Sequence, residues 1–225
     1  MNLQSLDTVQ LIALAGALGW ASGVRLYLVI LLTGWAGFMG WVDLPMGLRL
    51  LAHPVVLGAS GFMVFVEFFA DKVPGLDSLW DMVHTVIRIP AGAALAAGVF
   101  GADSAVMGLV AAVLGGSLAA TSHVAKTTSR AAINTSPEPF TNIGASLVED
   151  GAVPLALWLS VTHPLVFAAV LVVLLVVSVW LIRTCWRYLR TLFSRLTRIF
   201  SGMPDPGAPP AFRFSKNSSG DTPHV

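Results

Sequence analysis

Four polar residues between positions 77 and 88 are spaced as one stripe of an α-helix. Asp77, Asp81, His84 and Arg88 follow one another at i, i+4, i+7 and i+11, so they share one helix face, and apolar residues cover the rest of the segment. Two carboxylates and an imidazole are ligand types that a divalent cation accepts. Asp77, Asp81 and His84 are therefore candidate metal ligands, and the alternative is that they form hydrogen-bonded or ion pairs.

A second stripe with the same helical spacing is basic. It consists of His123, Lys126, Arg130 and Asn134. Together with Arg25 and Arg88 it could hold a phosphate or a carboxylate, such as a lipid headgroup or a small anion. A histidine in such a stripe could also couple ligand binding to protons, because its ordinary pKa is near 6.5.

Further acidic residues flank the two stripes. Charges at the centre of a bilayer cost about 2.5–3.5 kcal/mol each on insertion scales, so they are expected to face one another or a polar cavity. The predicted binding residues for an ion or solute are Glu67, Asp71, Asp77, Asp81, His84, Arg88, His123, Lys126, Arg130, Asn134, Glu149 and Asp150.

The amino-acid composition indicates whether this chain folds in water or in a membrane. It has 225 residues, of which 56% are hydrophobic and only 11% charged, and its mean hydropathy is +0.78. Soluble domains carry roughly 25% charged residues, and disordered chains combine low hydrophobicity with high charge. Several stretches reach the length of about 20 apolar residues that a membrane span needs. The sequence therefore predicts a multi-pass membrane protein.

The expected fold class is all-α, a membrane helix bundle of about six segments with at least one broken or re-entrant helix. The segment Val9–Phe38 is apolar but interrupted by the glycine-containing stretch Gly19–Gly23, which Arg25 follows. It is long for one tilted helix and short for two spans. Irregular backbone at membrane depth occurs only where protein or a water-filled cavity surrounds it, so the break is expected to lie inside the bundle.

Four further stretches have span character. They are Leu50–Ala70, Ser104–Ala125, Phe140–Val161 and Pro164–Ile182. The segment Leu76–Ile89 is helical by pattern but looks too polar to face lipid. Pro90 is expected to end or kink it, so that it forms one discontinuous helix with the short stretch Ala91–Phe100.

The domain organisation is expected to be a transmembrane helical domain over residues 1–200, with 183–200 as a basic helical extension, and a disordered cytoplasmic tail over 201–225. Residues 8–100 and 104–182 are candidate halves of a weak repeat, because the first helix of each half has a glycine-rich stretch followed by a basic residue, Arg25 or Lys126. Repeats with interrupted helices are how many transporters build a site at mid-membrane.

The charge distribution at the end of the last apolar run predicts its side of the membrane. Five arginines lie in sixteen residues, namely Arg183, Arg187, Arg190, Arg195 and Arg198. Basic residues next to a span stay on the cytoplasmic side, so the C-terminus is expected in the cytoplasm, and no nucleic-acid partner is expected. The single cysteine, Cys185, excludes an intrachain disulfide and a CxxC metal or redox site.

The polar stretches also resemble those of a known family. Residues 65–88, the basic stretch His123–Arg130 and the segment Asn134–Pro139 are similar to the bacterial membrane family called domain of unknown function 4126. The resemblance covers roughly residues 8–182. It implies a multi-pass protein of the bacterial inner membrane but no activity. The motif positions are Asp71, Lys72, Pro74, Asp77, Trp80, Asp81, His84, Arg88, His123, Lys126, Arg130, Asn134, Pro137 and Glu138.

The function that these features favour is that of a small transporter or channel, in which a buried charged cavity binds a small ion or an anionic, lipid-phosphate-like solute, with proton coupling. The first alternative is a membrane enzyme acting on a lipid phosphate at the Asp77 and Asp81 pair, and the second is a structural subunit whose stripes neutralise each other. No cofactor is expected beyond a divalent cation. The expected partners are the lipid bilayer, the small ion or anionic solute, and a second copy of this chain.

Overall fold

Helices form all the regular structure of the described residues. A computed structural model describes residues 6–73, 75–101, 104–135 and 139–200, and it contains no strand within them. This confirms the predicted all-α class. The helices are α1 (Thr8–Phe38), a 3₁₀ helix (Met46–Ala52), α2 (Pro54–Ala70), α3 (Leu76–Gly98), α4 (Ala105–Ile133), α5 (Pro139–Thr162) and α6 (Pro164–Phe200).

Several helices have the length and composition of membrane spans. Among the described residues, four helices meet both criteria, namely α1, α4, α5 and α6. The 3₁₀ helix and α2 meet them only together, as a pair bent by 69°, which would bring the number to five. Helix α3 is long enough but falls short on composition. The chain is therefore a multi-pass helical protein, in rough agreement with the six segments predicted.

Helix α1 is broken at the predicted place. Arg25 has the non-helical dihedral angles φ −145° and ψ 82°. Beyond Arg25 the chain turns back toward the start of α1. The evidence is that Leu44 packs against Gly37 and also lines one pocket together with Leu11. A straight helix from Leu11 to Gly37 would be about 39 Å long at 1.5 Å per residue. Both ends of α1 therefore lie at the same end of the bundle, and Arg25 lies at the turn between its two halves.

Small residues bring α1, α3 and α4 into close contact. A Cβ atom on Gly19 would lie 2.6 Å from the Gly115 Cα, and one on Gly92 would lie 2.6 Å from the Ala119 Cβ. A Cβ on Gly23 would overlap the Ala119 carbonyl oxygen. Such small-residue contacts are how membrane helices pack tightly without a hydrophobic driving force. They hold the broken part of α1 directly against α4.

Helix α3 differs from its prediction in two respects. It is one continuous helix that contains Pro90, where a discontinuous helix was expected. Its polar stripe points into the bundle, and its outer face is apolar and exposed, with Met82 at 66% and Val86 at 79% exposure. The segment thus combines a polar inner stripe, in line with the expectation that it is polar for a span, with an apolar outer face that was not expected to be exposed. The reason is that all four charged or imidazole side chains lie on one side.

The later helices also run further than the apolar stretches. Helix α4 extends to Ile133, so the basic stripe belongs to the same helix as the preceding span. The last helix extends to Phe200. The described residues divide into two units, one that ends at Leu189 and a second that begins at Arg190, of which residues 190–200 are helical. The tail predicted to be disordered, 201–225, lies outside the described residues.

Candidate functional site

A charged cluster lies where the polar faces of α1 to α5 meet. We use this name for eleven side chains, which are the cations Arg25, Lys72, Arg88, Lys126 and Arg130 and the carboxylates Glu67, Asp71, Asp77, Asp81, Glu149 and Asp150. The two predicted stripes face each other within it. Most of these groups are fully buried, so their energies depend on the partners described next.

Arg88 joins α3 to α2. One of its terminal nitrogens contacts Glu67 Oε1, and the other lies 2.5 Å from Asp81 Oδ1. All three side chains are completely buried. Because a guanidinium presents several donors in a fixed plane, it can bind two carboxylates at once where an ammonium could not do so with the same geometry.

Lys126 of α4 lies among three carboxylates. Its Nζ is 3.1 Å from Asp71 Oδ2, 3.4 Å from Asp81 Oδ1 and 3.3 Å from Glu149 Oε2. It also donates to the carbonyl oxygen of Val24, at 3.1 Å. That carbonyl lies next to the break of α1, where the helical hydrogen-bond ladder is interrupted. The ammonium therefore connects the broken helix to three other segments.

Arg25 is the residue at the break itself. Its guanidinium lies 3.1 Å from Asp71 Oδ2 and 2.8 Å from Asp150 Oδ1, and it donates to Ser146 Oγ at 2.8 Å. The side chain is only 2% exposed. The non-helical backbone at this residue thus places a cation between the loop after α2 and the middle of α5.

Arg130 lies one turn beyond Lys126 and makes polar contacts with the first half of α5. It makes two contacts with the Glu149 carboxylate, at 2.9 and 3.3 Å. It also donates to the carbonyl oxygen of Asn142, at 2.9 Å, and to that residue's side-chain oxygen. A further bond, of 3.3 Å, reaches the carbonyl oxygen of Asp71. Helix α5 is therefore attached to α4 by polar contacts in this region.

Asp77 has amide partners, and the described residues place no cation within ion-pair distance of it. Its carboxylate accepts from the side-chain amide of Asn134 at 2.8 and 3.1 Å, and from the backbone N–H groups of Gly75 and Ser78 at 2.9 and 2.6 Å. A carboxylate at the first turn of a helix is also stabilised by the helix dipole. Asp77 thus fixes the start of α3 against the end of α4.

His123 lies between α1, α3 and α4 with more potential partners than a neutral ring can satisfy. Its Nε2 is 2.7 Å from Thr85 Oγ1, and its Nδ1 is 3.3 Å from the Gly23 carbonyl oxygen and 3.5 Å from an Arg88 nitrogen. With its hydrogen on Nδ1 the ring donates to Gly23. With the hydrogen on Nε2 it donates to Thr85 and can accept from Arg88.

His84 lies beside the cluster and packs against aromatic rings. Its Nδ1 is 2.8 Å from the Trp80 carbonyl oxygen, and its Nε2 is 3.1 Å from the Tyr27 hydroxyl. Its ring stacks on that of Trp80, with centroids 4.1 Å apart. Since a carbonyl can only accept, a neutral ring carries its hydrogen on Nδ1 and accepts from the tyrosine.

One edge of the cluster is open to the surroundings. Lys72, Glu149 and Asp150 are 21%, 16% and 24% exposed, while the other eight side chains are buried. The Lys72 ammonium lies over the Phe68 ring, 3.0 Å from its centroid, and 4.0 Å from Asp150. Burial lowers the pKa of Lys72, and the Asp150 carboxylate acts in the opposite direction. The exposed side chains of the cluster are thus gathered at this edge.

The structure brings most of the predicted residues together. Nine of the twelve belong to the cluster, and His123 and Asn134 contact its members Arg88 and Asp77 directly. The remaining one, His84, contacts Trp80 and Tyr27. The metal role of Asp77, Asp81 and His84 stays a prediction. Across the described ranges, no three His, Cys, Asp or Glu side chains are grouped so that they could hold a metal ion. Pro74, Pro137 and Glu138 of the family motif lie outside the described residues.

Sequence reasoning missed several members of the site. Arg25 was considered only as an additional anion ligand, and it proves to be a central cation. Asn142 and Ser146 of α5 were not identified, although with Glu149 they follow the i, i+4, i+7 spacing of the other stripes, and Asp150 follows at i+8 on the same face. That spacing was the available signal, but uncharged residues in an apolar segment did not stand out.

Comparison with known proteins identifies the family but no activity. No curated protein and no solved structure matches the chain significantly. The family described as domain of unknown function (DUF4126) matches residues 12–184, which include every residue of the charged cluster. With its polar motifs brought together in one buried cluster of a multi-pass helical bundle, the chain belongs to the DUF4126 family.

Proposed function

We propose that this protein transports a small cation across the membrane and that the charged cluster is its binding site. The observation that carries the proposal is the break of α1 at Arg25, inside the cluster. Discontinuous helices whose ends meet at mid-membrane are the usual way in which transporters expose backbone groups to an ion or substrate. Here the carbonyl oxygens of Gly23 and Val24 are turned toward His123 and Lys126 of α4.

The charges of the cluster favour a cation as the solute. Each of its five cations lies within 4.0 Å of at least one carboxylate, so the described residues offer an anion no unpaired positive group there. The open edge carries two carboxylates, Glu149 and Asp150, and one ammonium, Lys72. This excess of carboxylates over ammonium groups among the exposed side chains favours an approaching cation over the lipid-phosphate solute considered from the sequence.

A flux assay tests this function directly. The purified full-length chain is reconstituted in liposomes, and gradients of H⁺, Na⁺ or K⁺ are imposed separately and followed with an entrapped ion-sensitive dye. We expect the protein to dissipate one of these gradients. Glu149→Gln should slow this flux by about tenfold or more, since ~1.4 kcal/mol of binding free energy corresponds to a factor of ten.

The matched control for this assay lies on the surface. Asp43 is 47% exposed and its nearest cation, Arg49, is 3.6 Å away, so Asp43→Asn should leave the flux unchanged. If the folded wild-type protein dissipates none of the three gradients faster than empty liposomes do, cation transport is wrong.

We propose the bacterial inner membrane as the location, with the end of α6 in the cytoplasm. Arg183, Arg187, Arg190 and Arg195 are exposed along the helix after the apolar part of α6. Basic residues of this kind stay on the cytoplasmic side. A fluorescent protein fused after residue 200 should fluoresce, and alkaline phosphatase fused at the same place should be inactive. The opposite pattern would reverse the orientation.

A second candidate function is structural. The observation that favours it is the direct pairing of the two stripes, since Lys126 lies 3.4 Å from Asp81 and Arg130 lies 2.9 Å from Glu149. Such a network could serve only to specify how the helices pack. Under this alternative, variants of the cluster lose stability, and the wild-type protein carries no ion in the flux assay.

A further inference from the structure

We propose that Glu67 is the group of the charged cluster that binds and releases a proton. This inference rests on the proposed function, because it names the proton as an ion that the cluster takes up. It is argued from the charge count of the cluster, from the partners of each carboxylate and from the burial of Glu67.

The charge count leaves the cluster with one negative charge in excess. Among the described residues it contains five cations and six carboxylates. The two neighbouring histidines are counted as neutral, because a neutral ring satisfies both partners of His84 and donates one hydrogen bond from His123 in either tautomer. Burying an uncompensated charge in a membrane protein is costly. One further positive charge, such as a proton, would make the cluster neutral.

The partners of the carboxylates locate this excess at Glu67. Four of the other carboxylates each contact two cations. The pairs are Asp71 with Arg25 and Lys126, Asp81 with Arg88 and Lys126, Glu149 with Lys126 and Arg130, and Asp150 with Arg25 and Lys72. Asp77 has three hydrogen-bond donors. Glu67 contacts only Arg88, which it shares with Asp81.

Glu67 has a buried oxygen on which a proton fits. The side chain is 0% exposed, and while its Oε1 contacts Arg88, its Oε2 is buried without a hydrogen-bond partner among the described residues. Within the same ranges, Asp71 Oδ1 and Asp81 Oδ2 are also buried without a hydrogen-bond partner, but each of these carboxylates contacts two cations and Glu67 contacts one. A carboxylate oxygen in this situation has lost its water and gained no donor. A hydrogen on Oε2 removes the charge and leaves the Oε1 contact with Arg88 in place.

The charged and titratable groups around Glu67 come from every helix packed against it. Arg25 and Tyr27 face it from α1, Arg88 from α3 and Lys126 from α4, and Asp71 follows it in the chain. Asp81 and His123 reach it through Arg88. Binding of a proton forms one O–H bond at Oε2 and converts the carboxylate into a neutral acid. Arg88 then keeps Asp81 as its charged partner.

Infrared difference spectroscopy of the full chain in lipid nanodiscs tests this assignment. A protonated carboxylic acid in a buried site gives a C=O stretching band that a carboxylate lacks and that shifts in D₂O. We expect this band to appear and disappear reversibly with pH in the wild-type protein. It should be lost in Glu67→Gln. In the matched variant Glu149→Gln, which removes a glutamate with two cation partners, it should be retained but appear at lower pH, because that variant also removes the excess negative charge.

A second measurement keeps the test decisive if Glu67→Gln does not fold. The chain contains three glutamates, at positions 67, 138 and 149, so carboxyl-¹³C-labelled glutamate should shift the band in the unsubstituted protein and in Glu149→Gln alike. The assignment would be overturned by any of three results. The band could persist in Glu67→Gln, it could fail to shift with the ¹³C label, or it could be absent at every pH at which the protein is folded.

This experiment measures proton binding at equilibrium, so it is independent of the flux assay. A titrating Glu67 band in a protein that moves no ion would reject transport while retaining Glu67 as the proton site. Flux without such a band would retain transport and reject Glu67.

Discussion

Methionine in place of Arg88 will prevent most of the protein from reaching its folded state. The guanidinium is completely buried and contacts Glu67 and Asp81, so its removal leaves Glu67 with no cation and Asp81 with Lys126 alone. Removing one partner of a buried ion pair costs about 3–5 kcal/mol, a large part of the ~5–15 kcal/mol by which proteins are stable. The yield of monodisperse protein in detergent and its thermal unfolding midpoint measure this loss.

The control for Arg88→Met is a surface arginine. Arg49 is 62% exposed and lies 3.6 Å from Asp43, so Arg49→Met should change the free energy of unfolding by no more than ~1 kcal/mol. Neutralising the abandoned carboxylates as well, in the triple variant Arg88→Met, Glu67→Gln and Asp81→Asn, should recover part of the stability. An Arg88→Met protein as stable as Arg49→Met would show that the cluster does not contribute to folding.

Alanine in place of Gly23 will separate α1 from α4 and displace Arg25. The added Cβ would overlap both the Ala119 carbonyl oxygen and Ser122 Oγ, and the first of these belongs to the helix backbone and cannot rotate away. Overpacking of a close contact costs about 1–3 kcal/mol. We expect a clear fall in the unfolding midpoint and, because Arg25 lies two residues further on, a loss of flux in the molecules that still fold.

Gly58 provides the matched control for Gly23. Both are glycines inside helices, but a Cβ on Gly58 would meet no atom within 4 Å. Alanine at this position should be neutral or stabilise by up to ~1 kcal/mol, because glycine is the poorer helix former. Equal midpoints for Gly23→Ala and Gly58→Ala would contradict the close α1–α4 contact on which the arrangement of the cluster depends.

The sequence predicted those features that depend on periodicity and local backbone preference. The stripes on α3 and α4 were found because four polar residues at helical spacing interrupt otherwise apolar segments. The break in α1 was found because a glycine-containing stretch precedes a charge that cannot face lipid. Both signals lie within a single helix, so one sequence is enough to detect them.

The pairing between helices could not be predicted in the same way. That Lys126 contacts Asp71 and Glu149, or that Arg25 reaches Asp150, depends on how four helices pack and on the return of α1 beyond its break. Neither property has a signature in residue spacing. That α3 continues as one helix through Pro90 also depends on the packing between helices. Neighbouring helices can stabilise a proline that would break an isolated helix, and the sequence of α3 alone does not show this.

The return of α1 has a consequence for the sidedness of the protein. Both ends of α1 lie at the same end of the bundle, so in a membrane the start of α1 and the loop after it, near Trp41, would face the same compartment. The number of membrane crossings would then be set by the helices that follow α1. Whether Thr8 and Arg183 lie in the same compartment then depends on how many of the helices after α1 cross the membrane.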